Sequence, residues 1–516
     1  VLAACYLGGS DPAPAPVPSA PVAAAPDPSL QRIRRLSRRE IVTAYADLVG
    51  ETVPETELLD EALGYDNGPG RLRVGTDQAS RLEALAWKLA DGAVARREPL
   101  LFASCDVDAP PSCRDALIAG LAPRAYRRPL TEAEKQNLVR VWDETQSEGG
   151  TVALAAMIAA VLQSPAFLYR EELGDAVDPK NEGSLVLRPY EIASALSFLI
   201  AGKGPDDELL AAAARGELAT GAGRRREAER LLGRADGHRT LVEFLRQWLA
   251  LDRVPLATKA GAEKLPPGTL AAMDEDSRGV LSDVLSRRGS IRDLLTTRVA
   301  FVADPIADLY GTKPGATVPV RIELDAKTRA GVLTRAGFLT VHSAADHSSP
   351  VGRGVFVLDA MLCRTPAPPP SGIPRFPPVQ AKPTTTRDRF AIHDQDPTCQ
   401  GCHRAIDGIG FGFEEFDLAG RHRTAENGLP IDASGFLDDE AFVGVTQLEE
   451  KLLANDDLLR CFVRQTFRFA SGGAETPAIS TKLGATFAGA SVDTPIEELV
   501  LRLVESDLFV VRERAP

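Results

Sequence analysis

The chain lacks any run of the ~18 apolar residues that a membrane span requires. Its nearest approach, residues 152–162, is diluted with small side chains, so the body reads as soluble. It also lacks a basic stripe with interleaved aromatics, and a net charge of −13 argues against nucleic acid as a partner. No phosphate-binding loop, nucleophile elbow or zinc-protease pattern occurs. There is no repeat of solenoid type. Strand signals are few, the best being residues 317–320 and 508–511. Sulfur and imidazole are scarce as well: 7 Cys, 6 His and 3 Met in 516 residues.

Against that scarcity stands Cys399-Gln400-Gly401-Cys402-His403. At this composition the C-x-x-C-H pattern is expected by chance about 0.001 times, so it calls for chemistry. In c-type haem attachment, each thiol adds across a haem vinyl group and the adjacent histidine takes the iron. Three other readings compete. Zinc wants a second ligand pair, and His393 and His422 do not form a standard one. A thioredoxin-like dithiol wants a strand before it, where Asp396-Pro397-Thr398 stands. A plain disulfide leaves His403 without a role.

Haem is attached to such motifs outside the bacterial cytoplasm, which makes the compartment the next question. Val1-Leu2-Ala3-Ala4-Cys5 reads as the end of a lipoprotein signal, with Cys5 lipidated and anchored to a membrane. Residues 8–28, mostly Ala and Pro, then read as a stiff tether, although an ordinary N-terminal tail would look similar. This predicts a lipid-anchored protein of the cell envelope, periplasmic or at the outer-membrane surface. Cys105 and Cys113 flank a short turn-rich loop that a disulfide can close, and Cys363 with Cys461 is a candidate second bridge. With Cys5 lipidated and two thiols on haem, all seven cysteines are then occupied.

Periodicity predicts a mainly α, multi-domain helical protein with the haem segment in the C-terminal third. Ser37-Arg38-Arg39-Glu40 and Thr131-Glu132-Ala133-Glu134 are capping boxes opening apolar stretches. An Ala-rich helix is expected over 151–168, broken at Ser164-Pro165, and further helices over 189–200 and 241–251. The proline-rich stretch 366–383 reads as a connector ahead of the haem segment. The expected organisation is a signal remnant and tether (1–30), an N-terminal helical module (31–115), central helical modules (116–315), a haem-binding module (316–440) and a C-terminal helical module (441–516).

Several strings carry a resemblance. Arg124-Ala125-Tyr126-Arg127-Arg128-Pro129-Leu130-Thr131 and Leu162-Gln163-Ser164-Pro165-Ala166-Phe167-Leu168-Tyr169-Arg170 are similar to two modules of a family found in planctomycetes and myxobacteria. So are Tyr190-Glu191-Ile192-Ala193-Ser194-Ala195-Leu196 with Pro205-Asp206-Asp207-Glu208-Leu209, then Ser348-Ser349-Pro350-Val351-Gly352-Arg353-Gly354. The haem motif continues in the same manner through Asp407-Gly408-Ile409-Gly410-Phe411 and Phe416-Asp417-Leu418, and the last similar string runs from Glu497-Glu498-Leu499-Val500 to Phe509. The family's modules are catalogued as domains of unknown function and often accompany planctomycete-type cytochrome c domains. Its usual Asp-Pro after the motif is Asp407-Gly408 here. The resemblance implies a secreted or anchored helical protein with one haem-type motif.

The expected cofactor is one covalent haem c, with Cys399 and Cys402 as anchors and His403 as the proximal ligand. For the iron's other face the candidates are His342, then His393, with His347 and Met361 behind them. Arg421 and Arg423 are candidates to neutralise the haem propionates. Gly408, Gly410 and Gly412 alternate with Ile409 and Phe411, as backbone lying close to a flat apolar body would. The reading is an electron-transfer protein with a redox partner protein. Two alternatives stand beside it: a haem peroxidase or oxidase acting on a small-molecule substrate, and a structural or glycan-binding surface lipoprotein.

Overall fold

Both capping boxes form. In the computed structural model, Ser37 Oγ accepts from the Glu40 amide at 3.2 Å while the Glu40 carboxyl accepts from the Ser37 amide at 2.9 Å, opening the helix Arg38–Val49. Thr131 and Glu134 repeat the exchange at the start of Glu132–Thr145. Each box satisfies two amides that the first helical turn leaves without partners. The structure describes residues 33–54, 58, 65–66, 74–102, 105–106, 108–178, 181–259, 265–313, 315–367, 384–390 and 397–513. It is mainly helical, 61% helix and 9% strand. Cys5 and the tether lie outside the described residues, as do His393 and most of the proline-rich connector.

The described chain folds as two compact units, one of residues 33–241, 466–486 and 500–513, the other of 242–465 and 487–499. In the first, the Ala-rich helix Gly150–Gln163 is buried on nearly every side and packs against Thr76–Arg96. Ser164 then caps the short helix Pro165–Leu168, as the Ser-Pro break predicts. The expected helix Pro189–Ile200 is present with those bounds. Glu172, 1% exposed, gathers three guanidiniums, those of Arg34, Arg170 and Arg512. Their charge holds its carboxyl far below the usual carboxylate range, against the opposing effect of burial, which is the largest single influence. The Cys105–Cys113 disulfide belongs to this unit.

The strand expected at 508–511 is corrected. Asp507–Val510 is a turn of helix, and the strand is Val511–Glu513, antiparallel to Asn181–Val186. Ser506 takes the extended backbone of a helix N-cap, its hydroxyl turned back to the Leu503 carbonyl, and Asp507 sets an acidic group in the first turn, which favours the turn of helix.

In the second unit, the helix Thr269–Ser286 packs on an antiparallel pair, Val299–Val302 with Val320–Glu323. The strand expected over 317–320 begins only at Val320, because Pro319 has no N–H to give the ladder. Asp276, fully buried, accepts from the Phe301 amide at 2.7 Å and from the Tyr310 hydroxyl. Residues Ser434–Leu437 and Glu440–Val443 form a hairpin across Asp438-Asp439, with Asp438 at φ 55°. Cys363 and Cys461 are bridged, as expected.

Glu449, on the helix Gly444–Ala454, is 2% exposed, and its carboxyl is poorly satisfied among the described residues, with only the Leu333 amide reaching toward it. Gly331, at φ 65°, makes room for it: a Cβ there would stand 2.1 Å from Glu449 Oε1. Burial pushes this carboxyl well above its ordinary value of 4.5, despite the Arg335 guanidinium. The folded state therefore keeps a proton that the unfolded chain has released above about pH 4.5, and stability is lost as pH rises toward the folded value. Glu449→Gln is expected to raise the melting temperature at pH 8 by about 3 °C or more and to change it little at pH 4. Equal shifts at both pH values would show that ionisation is not the cause.

Candidate functional site

Pro397 opens the helix Pro397–Gly410, a position where its missing N–H leaves no bond unmade. The motif fills the first two turns. Cys399, Cys402 and His403 fall at i, i+3 and i+4, so helical geometry puts them on one face. Cys402 and Gly401 are exposed, Cys399 and His403 half-buried, and a Cβ on Gly401 would meet nothing within 4 Å. Neither motif thiol is in a disulfide, whereas the other described cysteines are all bridged. His403 Nδ1 lies 3.2 and 3.3 Å from the two carboxyl oxygens of Asp407, one helical turn on. A proton on Nδ1 puts the ring's lone pair on Nε2. Asp407 itself is 1% exposed.

The second half of this helix is clamped. A Cβ on Gly354 would come within 2.0 Å of the Ile406 carbonyl, and one on Gly410 within 2.0 Å of the Pro350 carbonyl, so the helix Pro350–Phe356 and the motif helix touch backbone to backbone. Gly408 lies under the Phe436 ring and Gly412 under the Phe442 ring, both from the hairpin. The flat apolar bodies that Gly408 and Gly412 accommodate are therefore protein rings, whereas Gly410 meets backbone. The Asp407-Gly408 step continues the helix.

One guanidinium ties these pieces together. Arg353, 0% exposed, donates to the carbonyls of Leu339, Phe413, Phe416 and Asp417 and to Ser343 Oγ, and stands 3.8 Å from the buried Glu414 carboxyl. Glu414 also accepts from Ser348 Oγ at 2.8 Å and from Arg423 at 3.1 Å. Burial lowers the Arg353 value to about 10, which leaves it a cation at neutral pH. The residues of the family-like string Ser348 to Gly354 thus seat the segment that carries the motif.

The remaining candidates are placed as follows. His342 Nε2 lies 3.3 Å from the Leu249 carbonyl, with its ring between Phe338 and Phe356 at centroid distances of 4.5 and 4.3 Å. Burial brings its value down to about 3, so the ring is neutral. Met361 is fully buried core, and His347 pairs with Asp346. Arg421 is engaged by Asp308 at 2.7 Å and Asp417 at 3.3 Å, and Arg423 by Glu414 and Glu426; a propionate would have to compete with these carboxylates. Among the described residues no group of three or more His, Cys, Asp or Glu is arranged to hold a metal ion. The two unbridged thiols and the braced imidazole are a donor set of the kind that covalent haem requires.

Sequence reasoning missed the partnership of His403 with Asp407. Its signal was present, since i, i+4 residues face each other on a helix, but it depends on reading the helix through the motif.

Comparison with protein families returns three matches. Residues 113–172 match PSD5, a protein of unknown function (DUF1595), 187–312 match PSD4 (DUF1592) and 329–426 match PSCyt3 (DUF1588). The chain carries these three modules of a multi-module family of unknown-function domains. Their names, those of planctomycete cytochrome c-associated families, suggest a cytochrome-related role. The motif helix, Arg353 and Glu414 all fall within the PSCyt3 module, and the first two similar strings within the PSD5 module. No curated protein and no solved structure matches the chain.

Proposed function

We propose that this is a lipid-anchored, monohaem c-type protein of the cell envelope that moves single electrons, with Cys399 and Cys402 as thioether anchors and His403 as proximal ligand. The observation that carries the reading is the placing of two unbridged thiols and an Asp407-braced imidazole on one face of a helix whose other end is clamped. When bound, haem supplies one-electron chemistry at its iron. The chain's own part is to hold the imidazole in one tautomer and to fix the helix through Gly354, Gly410 and Arg353. The anchor rests on Val1 to Cys5, and two disulfides fit an oxidising compartment. An acidic chain, at −13, suits a basic redox partner protein.

A second reading, a haem peroxidase or oxidase, is favoured by one observation. With His342 bonded to the Leu249 carbonyl, the preferred sixth ligand is already engaged, which favours an iron face open to a small molecule.

Expression beside a c-type maturation system separates these readings. A six-coordinate low-spin visible spectrum, with haem mass on the peptide containing Cys399 to His403, supports the carrier. A high-spin ferric spectrum that shifts with cyanide supports the enzyme. Colourless protein whose mass is that of the polypeptide alone overturns both and leaves a structural or glycan-binding surface protein.

A further inference from the structure

Asp407 offers more than helix surface to His403. Both its oxygens stand within 3.3 Å of Nδ1. Its side chain is shielded from solvent and that of His403 is mostly so, at 23% exposed, which limits how far water dilutes the contact. Its backbone is held on either side, by the Ile406 carbonyl against Gly354 and by Gly408 against Phe436. A carboxyl placed behind an iron-bound imidazole draws on the Nδ1 proton and makes Nε2 a stronger donor, more than a neutral carbonyl does. Stronger donation favours ferric over ferrous iron.

We infer that Asp407 is a positioning residue that fixes the tautomer of His403 and poises the haem at a low reduction potential. This rests on the haem reading above. Its consequence is directional: the protein gives up an electron more readily than the same haem would with a neutral acceptor behind the histidine.

The test is a redox titration of holoprotein, wild type against Asp407→Asn and Asp407→Glu, with haem content fixed by the pyridine haemochrome. Asp407→Asn is expected to shift the ferric–ferrous equilibrium about tenfold toward ferrous, about 59 mV for one electron, and Asp407→Glu to restore most of it. A shift below threefold, or one in the opposite direction, overturns the inference while leaving the haem reading intact. Wild type without covalent haem removes both. Should the variants not fold, resonance Raman on wild type after carbon monoxide photolysis decides the same point. An iron–histidine stretch at the high frequency of a strongly donating imidazole supports the inference, and one at the frequency of a neutral imidazole overturns it.

Discussion

The double variant Cys399→Ser, Cys402→Ser should keep its fold and lose covalent haem completely, so that acid–acetone extraction strips all colour from it and none from wild type. Serine has the size of cysteine but forms no thioether with a vinyl group. The two side chains sit at the solvent end of the Pro397–Gly410 helix, one exposed and one half-buried, so their replacement is expected to change stability by no more than about 0.5 kcal/mol. The Cys363–Cys461 bridge stays closed in the variant. Each single variant should retain one thioether. Haem that resists extraction from the double variant would place its attachment elsewhere.

Arg353→Met should unfold the second unit far more easily than any surface change, with a loss of about 3–5 kcal/mol. The side chains are of similar length, so volume changes little. Five acceptors, four carbonyls and the Ser343 hydroxyl, lose a buried cationic donor, and Glu414 keeps Ser348 and Arg423 nearby. Denaturant titration of the holoprotein measures the effect, and haem incorporation should fall with it, because these bonds seat the motif segment. A loss under about 1 kcal/mol would mean that the guanidinium is replaceable by packing alone.

Much of the fold was legible because its signals are local. Ser37, Thr131 and the Ser164-Pro165 break each act within four residues, and each appears where expected. The Cys105–Cys113 bridge was suggested by its short turn-rich loop, whereas Cys363–Cys461, 98 residues apart, was only a candidate until the fold closed it. What was not legible depends on partners distant in the chain. Gly408, Gly410 and Gly412 signal close approach, but only the hairpin at 434–443 and Pro350 reveal what approaches them. The hairpin strands are four residues each and carry little alternation. Arg421, Arg423 and His342 have the right chemistry for a cofactor, yet each is engaged by protein groups whose positions no spacing announces. The apolar run from Leu508 to Val511 misleads for the opposite reason: there a local turn of helix, Asp507–Val510, displaces the strand to Val511–Glu513.

The first unit is completed by the far end of the chain. Arg224 grips the carbonyls of Val504, Glu505 and Ser506, Val511–Glu513 adds the edge to Asn181–Val186, and Arg512 fills the third place around Glu172. A ribosome must therefore deliver residue 512 before a unit begun at residue 33 can close. The unit therefore reaches its finished form only late in synthesis, its early helices awaiting a latch more than 300 residues downstream.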